Sequence, residues 1–203
     1  TLTGTASTGA YIRTIETPTL ATATVPRISS VALAADNSTV AVTFDEAVYN
    51  TNGGSGALQA SDFALSISGG VATMSSATPT SIAISGNVYT LGIGLSGTPN
   101  GSETLTVNPV SSSIYDGEGN VASTSQSNNT ISLNDQLAPI ITGVTLASNN
   151  TTIAVTFSEA VYNTNSGSGS LEVGDFEFSL SGGNATLSST TPSTISIVGN
   201  AIH

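Results

Sequence analysis

The chain has 203 residues, of which charged residues make up only 7%, and its formal net charge is −11 because Arg13 and Arg27 are its only Lys or Arg residues. Such an acidic surface disfavours nucleic acid and anionic membranes as partners. The sequence contains no cysteine, which excludes disulfides and thiolate metal sites. No apolar run reaches the ~20 residues needed to cross a bilayer, so we expect no membrane insertion.

A repeat dominates the sequence. A shift of 113 positions aligns residues 26–90 with residues 139–203 without a gap, and 38 of the 65 pairs are identical. The shared stretches include "TFDEAVYNTNGGSG" at 43–56, which returns as "TFSEAVYNTNSGSG" at 156–169. A period of this length indicates tandem domains. We therefore predict a first repeat over 26–138 and a second repeat over 139–203.

The first 25 residues precede the repeats. Their opening "TLT" is the same triplet as Thr104–Thr106, and a proline follows the segment at Pro26, as Pro139 follows the first repeat. These matches favour either the last strands of a preceding repeat or a strand that is exchanged with another copy of the chain.

Within a repeat the apolar residues alternate with polar ones, as in half-buried strands. Gly-Gly, Asn-Gly and Gly-Asn pairs separate these runs. Apolar residues at helical spacing are not sustained anywhere in the sequence. Short strands at this density are typical of an all-β immunoglobulin-like sandwich. The apolar positions that alternate in this way, in chain order, are Val40, Val42, Phe44; Phe63, Leu65, Ile67; Ile82, Ile84; Tyr89, Leu91, Ile93; Leu105, Val107; Ile131 and Leu133.

The second repeat is incomplete in this sequence, because His203 aligns with Thr90 of the first. Counterparts of the last strands of the first repeat are therefore missing. We expect half of the core of the second repeat to be exposed, unless the missing strands come from a longer polypeptide or from another molecule.

Four motifs carry a family resemblance: the strand end "TFDEAV", the following "SDF", the loop "YDGEGN" at 115–120, and an Asn-Asp-x-x-x-Pro junction at 134–139. Together they resemble bacterial immunoglobulin-like tandem repeats of S-layer proteins and giant cell-surface adhesins. The resemblance covers residues 26–203. It implies tandem sandwiches in an extracellular bacterial protein, at the cell surface or secreted, that is often stabilised by calcium.

Acidic loop residues are candidate calcium ligands, because Ca²⁺ takes six to eight oxygens from carboxylates, amides and carbonyls. In a sandwich of this kind the loop after Phe44 and the "YDGEGN" loop lie at the pole where the chain enters. The junction also resembles the calcium-binding linker of cadherins. The candidate ligands are Glu46, Asp62 and Asp116 in the first repeat, Asn134 and Asp135 at the junction, and Glu159 and Asp175 in the second repeat.

The alternative for these acids is turn formation, since aspartate at a loop end commonly binds nearby backbone amides. Asp62 and Asp116 fit that alternative without any metal. The first repeat also has no acid immediately before Pro26, so its pole lacks the junction pattern.

Catalysis is not expected. Nucleophilic mechanisms need an activated Ser, Cys or Lys beside a base, but the single histidine is His203 and lysine and cysteine are absent. The glycine-rich stretches precede no helix and lack the lysine of a phosphate-binding loop.

The sequence therefore favours a structural and adhesive role over an enzymatic one. We predict a repeat region of a long extracellular protein or filament, whose partners are neighbouring repeats and other copies of itself, with strand exchange among the contacts. Two alternatives stay open: a module that binds surface glycans or proteins, and an accessory region of a secreted enzyme.

Overall fold

The structure is a computed structural model that describes residues 24–165, 167–199 and 201–202. These residues form antiparallel β-sheets, with two short 3-10 helices. The chain divides into two compact units between Asp135 and Gln136, close to the predicted boundary. The predicted role of residues 1–25 falls almost wholly outside the described residues. No described helix is long and apolar enough to cross a membrane.

The first unit contains a four-stranded sheet in the order β1-β2-β6-β5, a three-stranded sheet in the order β3-β8-β9, and a short pair formed by β4 and β7. All pairings are antiparallel. The strands are β1 (Ile28–Leu33), β2 (Thr39–Phe44), β3 (Phe63–Ser68), β4 (Thr73–Met74), β5 (Ile82–Ser85), β6 (Val88–Gly92), β7 (Leu95–Ser96), β8 (Thr104–Pro109) and β9 (Thr130–Ser132), and a 3-10 helix, Ala60–Asp62, precedes β3.

The core lies between the two larger sheets, which gives the unit a β-sandwich-like architecture. Val40, Val42 and Phe44 on β2 are buried, as are Leu105 and Val107 on β8, while the residues between them are only partly covered. The predicted alternation along these strands is confirmed. One contiguous cluster of buried residues joins both sheets.

Tight turns fix the strand register. Asn37 has φ of 58° in the turn between β1 and β2, and its N–H donates to the carbonyl of Ala34 at 2.9 Å. Asparagine tolerates this left-handed conformation better than most residues do. Gly86 has the same φ in the two-residue turn between β5 and β6. The sequence did not predict β1, β4 or β7, because β1 contains a bulge and the other two are two residues long.

The second unit contains one four-stranded sheet in the order β10-β11-β13-β12. Its strands are β10 (Ile141–Leu146), β11 (Ile153–Phe157), β12 (Ile197–Val198) and β13 (Ala201–Ile202), and a 3-10 helix, Val173–Asp175, follows β11. This order repeats β1-β2-β6-β5, and the bulge at the start of β10 repeats the bulge in β1.

One face of the second sheet is exposed. Ile141, Val144 and Leu146 on β10 are each more than half exposed, whereas Ile28, the counterpart of Ile141 in the first unit, is 1% exposed. Residues 176–181, the counterpart of β3, are not in a ladder with any described strand. As expected, apolar side chains of the second unit are exposed at positions that the first unit covers.

Candidate functional site

The loop at residues 45–56 and its counterpart at 158–169 share two local features over the residues that the structure describes. In the first unit the Thr51 hydroxyl donates to the carbonyl of Ser55, and Gly56 has φ of 85° beside the side chain of Asn50. In the second unit Thr164 donates to the carbonyl of Ser168, and Gly169 at φ 88° lies beside Asn163. The shared sequence therefore encodes the shape of the loop.

This loop is held against the "YDGEGN" loop in the first unit. The N–H groups of Tyr49 and Tyr115 donate to each other's carbonyls at 2.7 and 2.8 Å. Further out, the Cβ of an alanine at position 119 would collide with the Asn52 amide oxygen, and a Cβ at Gly54 would lie 3.2 Å from the Gly117 carbonyl oxygen. The close approach of the two loops, to a backbone carbonyl at Gly54 and to a side chain at Gly119, explains the glycines at both places.

The two loops bring three carboxylates together. Oxygens of Glu46, Asp116 and Glu118 lie within 4.8 Å of one another. Of the predicted convergence of Glu46, Asp62 and Asp116, the structure brings together Glu46 and Asp116, and Asp62 lies outside the group. Glu118 was not predicted, although it belongs to the "YDGEGN" motif; its position two residues after Asp116 across a tight turn was the available signal.

The electrostatics of this acidic cluster differ between its members. Burial raises the pKa of Glu46, and the negative charges of Asp116, Asp45 and Glu118 raise it further. Burial alone would also raise the pKa of Asp116, but hydrogen bonds from Asn120 and nearby backbone N–H groups outweigh it and hold that pKa below its usual value. Burial and the neighbouring negative charges therefore disfavour the charged form of Glu46.

Asp116 also organises its own turn. Its Oδ1 accepts the N–H of Glu118 at 3.0 Å and that of Asn120 at 2.7 Å, and its Oδ2 accepts the Asn120 side-chain amide at 2.7 Å. Turn formation, the alternative to a metal role, thus accounts for its burial.

Asp62 and Asp175 occupy matching places at the two 3-10 helices. The Asp62 carboxylate accepts the N–H of Gln59 at 2.7 Å, and the Asp175 carboxylate accepts the N–H of Glu172 at 2.8 Å. Each acid therefore caps the helix that it ends. Asp62 is not part of the acidic cluster.

Asn134 is bound within the first unit. Its backbone N–H donates to Oδ1 of Asn37 at 2.9 Å, and the Asn37 amide, 1% exposed, donates back to the Asn134 carbonyl at 2.8 Å. The Asn134 side chain also donates to the carbonyl of Ala34 at 3.1 Å. These bonds attach the turn between β1 and β2 to the end of β9. Asp135 ends the first unit, and half-buried Glu159 follows β11 in the second.

Among the described residues, the acidic cluster is the one group of three carboxylates that lie close enough to share a cation. The three carboxylates supply close oxygens, and the contacts of Gly54 with Gly117 and of Gly119 with Asn52 put a carbonyl and an amide oxygen in the adjoining turns. Calcium coordination by mixed carboxylate, amide and carbonyl oxygens uses such a set. The second unit holds the counterpart of Glu46, and the 203-residue sequence holds no counterpart of Asp116 or Glu118.

Sequence analysis missed the most deeply buried acid, Glu103, which is 0% exposed. Its Oε1 accepts the N–H groups of Val71 and Ala72 at 2.8 and 2.9 Å, and its Oε2 accepts that of Asn100 at 3.1 Å. A Cβ at Gly70, where φ is 58°, would collide with this carboxylate. The Gly-Gly pair at 69–70 was the available signal.

Over residues 24–165, 167–199 and 201–202, every buried side-chain nitrogen or oxygen has a hydrogen-bond partner. The buried polar groups thus hold loops in place. Comparisons with known protein families, curated proteins and solved structures found no match.

Proposed function

We propose that this chain is a structural and adhesive repeat region of a long extracellular bacterial surface protein or filament, built from tandem immunoglobulin-like sandwiches. Its partners are neighbouring repeats and other copies of itself. Mechanical resistance and attachment are its role, and calcium at the acidic cluster stiffens the loops of the first unit.

The observation that carries this proposal is the repetition of one loop geometry in two units. The same threonine bond and the same positive-φ glycine occur in both, and the buried polar groups described above are used to lock loops and turns. A binding or catalytic site usually occurs once, whereas a structural loop is needed in each unit. The low charge and the many Ser, Thr and Asn residues agree with a surface role.

Mechanical resistance is directly measurable. When the chain is stretched between two handles in a force-spectroscopy experiment, we expect the first unit to unfold in one step. Residues 24–135 should release roughly 350–400 Å of contour length, because an extended residue spans at most ~3.6 Å. Gradual extension without a discrete step would contradict a load-bearing role.

Calcium binding gives a second prediction, tested by thermal melting with calcium or with a chelator. A cation held at a concentration of 100 Kd stabilises the native state by about 2.7 kcal/mol. We expect Glu46→Gln to abolish this gain. The same variant should melt slightly higher than the wild type in chelator, because it removes a carboxylate whose pKa is raised by burial and neighbouring negative charge.

Asp62→Asn is the matched control for Glu46→Gln, because Asp62 is an acid outside the acidic cluster. It should weaken the cap of the 3-10 helix and leave the calcium-dependent gain intact. If the wild-type melting temperature is the same with calcium and with chelator, the acidic cluster does not bind calcium and its acids only form turns. Binding of the chain to a glycan array would favour the glycan-binding alternative over the structural role.

A further inference from the structure

The loop at residues 45–56 contains an exposed Asn-Gly pair, Asn52 and Gly53. A Cβ at Gly53, where φ is 120°, would meet no atom within 4 Å. The Asn52 side chain makes no hydrogen bond with any residue that the structure describes. The backbone nitrogen after an asparagine can attack the side-chain amide carbon when the following residue has no side chain to obstruct it. The pair at 52–53 meets this condition.

The other Asn-Gly pair of the sequence, Asn100 and Gly101, is held in place. The Asn100 side-chain oxygen accepts the N–H of Ser102 at 3.1 Å, and the Asn100 backbone N–H donates to the Glu103 carboxylate at 3.1 Å. A Cβ at Gly101 would lie 3.3 Å from the Cβ of Asp135. The fold therefore restrains this pair and leaves the pair at 52–53 free to rearrange.

The second unit has no Asn-Gly pair at the corresponding place. The counterpart of Asn52 is Asn165, which is followed by Ser166. The Cβ and hydroxyl of a serine obstruct the approach of its backbone nitrogen to the preceding asparagine. Of the two copies of this loop, the first is therefore the reactive one.

The Asn52 side chain lies against the "YDGEGN" loop. Its amide oxygen occupies space that a Cβ at Gly119 would need, and Gly119 follows Glu118 of the acidic cluster. Burial and neighbouring negative charges already raise the pKa of Glu46 in that cluster. A negative charge at position 52 would therefore join carboxylates that repel one another.

We propose that Asn52 is a site of spontaneous deamidation, which converts its neutral amide into a fourth carboxylate beside the acidic cluster. The Gly53 nitrogen loses its proton to solvent and bonds to the Asn52 side-chain carbon. The bond from that carbon to the amide nitrogen breaks, and the nitrogen takes up a proton and leaves as ammonia. Water then opens the cyclic imide at either carbonyl, giving aspartate or isoaspartate. This inference goes beyond the proposed function and does not require it.

Isoaspartate changes the backbone of the loop as well as its charge. The main chain then passes through the former side chain, which inserts one CH₂ group between residues 52 and 53. The Thr51 hydroxyl donates to the carbonyl of Ser55 across the same turn. Both products therefore weaken the contact between the two loops, and isoaspartate also disturbs the turn itself.

The test follows the full chain over time at mildly alkaline pH, by mass spectrometry of its peptides with fragmentation that distinguishes aspartate from isoaspartate. We expect Asn52 to react about tenfold or more faster than Asn100, because Asn100 must first lose a hydrogen bond to a charged group. In concentrated urea the two Asn-Gly pairs should react at similar rates. Equal rates at Asn52 and Asn100 in the folded chain would overturn the proposal, as would a preference for Asn52 that persists in urea.

Three variants separate the reaction from its effect on the acidic cluster. Asn52→Gln should abolish the reaction at position 52, because glutamine would have to close a larger ring. Asn52→Asp reproduces one product and should melt at a lower temperature than the wild type in chelator. Asn165→Asp adds the same charge to the second unit and should leave the melting of the first unit unchanged. If Asn52→Asp and the wild type melt at the same temperature, the new carboxylate does not act on the acidic cluster and the proposal fails. All of these measurements are made without calcium, so they do not depend on the calcium role proposed above.

Discussion

Replacing Phe44 by alanine should lower the free energy of unfolding of the first unit by about 3–5 kcal/mol. Phe44 is 2% exposed and packs edge-on against Tyr89, with ring centroids 5.7 Å apart, and against Phe63 at 6.3 Å. The truncation removes the aromatic contacts from both sheets at once and leaves a cavity. Urea unfolding followed by tyrosine fluorescence measures the change.

The chain supplies a matched control for this substitution. Phe157 is the counterpart of Phe44 at a shift of 113, lies on the same kind of strand, and is only half-buried. Phe157→Ala should therefore cost far less, about 1 kcal/mol. Similar losses for the two variants would contradict the difference in packing between the two units.

Glu103→Ala is expected to lower the free energy of unfolding of the first unit by about 3 kcal/mol or more, because a buried donor that loses its acceptor costs about 1–3 kcal/mol. The carboxylate accepts three backbone N–H groups from two loops, and alanine would leave them without this acceptor, the N–H of Ala72 in a buried position and the other two in part-buried ones. Glu103→Gln keeps one acceptor oxygen but directs an amide N–H₂ at a donor, so an intermediate loss of about 1–3 kcal/mol follows. Equilibrium unfolding in urea separates the two variants.

The same carboxylate predicts how stability depends on pH. Burial alone would raise its pKa, but the backbone N–H groups of Ala72, Val71 and Asn100 outweigh burial and lower the pKa from the usual 4.5. A lowered pKa means that the charged group stabilises the fold above about pH 4.5, and that this stabilisation is lost as pH falls through the folded-state pKa. Glu103→Gln should flatten this acid limb of the stability curve. If Glu103→Gln loses stability at low pH as steeply as the wild type does, other carboxylates cause the acid sensitivity.

The alternation of apolar and polar residues predicted the central strands, because every second side chain of these strands is buried in the core. Val40, Val42 and Phe44 illustrate this, since each is buried and each neighbour between them is half-covered. The pattern failed for β1, where a bulge interrupts the period, and for residues 176–181, which keep the alternation yet lack a described strand beside them. Whether residues 176–181 form a strand depends on a neighbouring strand to pair with, and the local sequence pattern does not say whether one is present.

The candidate site was predictable only in part. Glu46 and Asp116 are 70 positions apart in the numbering, and only the expected sandwich connectivity brought them to one pole. Glu103 was missed because a lone glutamate before a strand normally points to solvent. Its burial depends on two glycines in a distant loop, whose positive φ values expose the backbone N–H groups that bind it.

The reciprocal amide pair between Asn37 and Asn134 has a consequence for making the protein. Asn37 begins an Asn-Ser-Thr triplet, which is a glycosylation sequon. In the folded unit both ends of its amide are bonded and the side chain is 1% exposed, so an oligosaccharide has no room there. A eukaryotic secretory host that modifies the nascent chain would attach the sugar before the turn closes, and the first unit could then not join the end of β9 to that turn. Bacterial expression avoids this conflict between modification and folding.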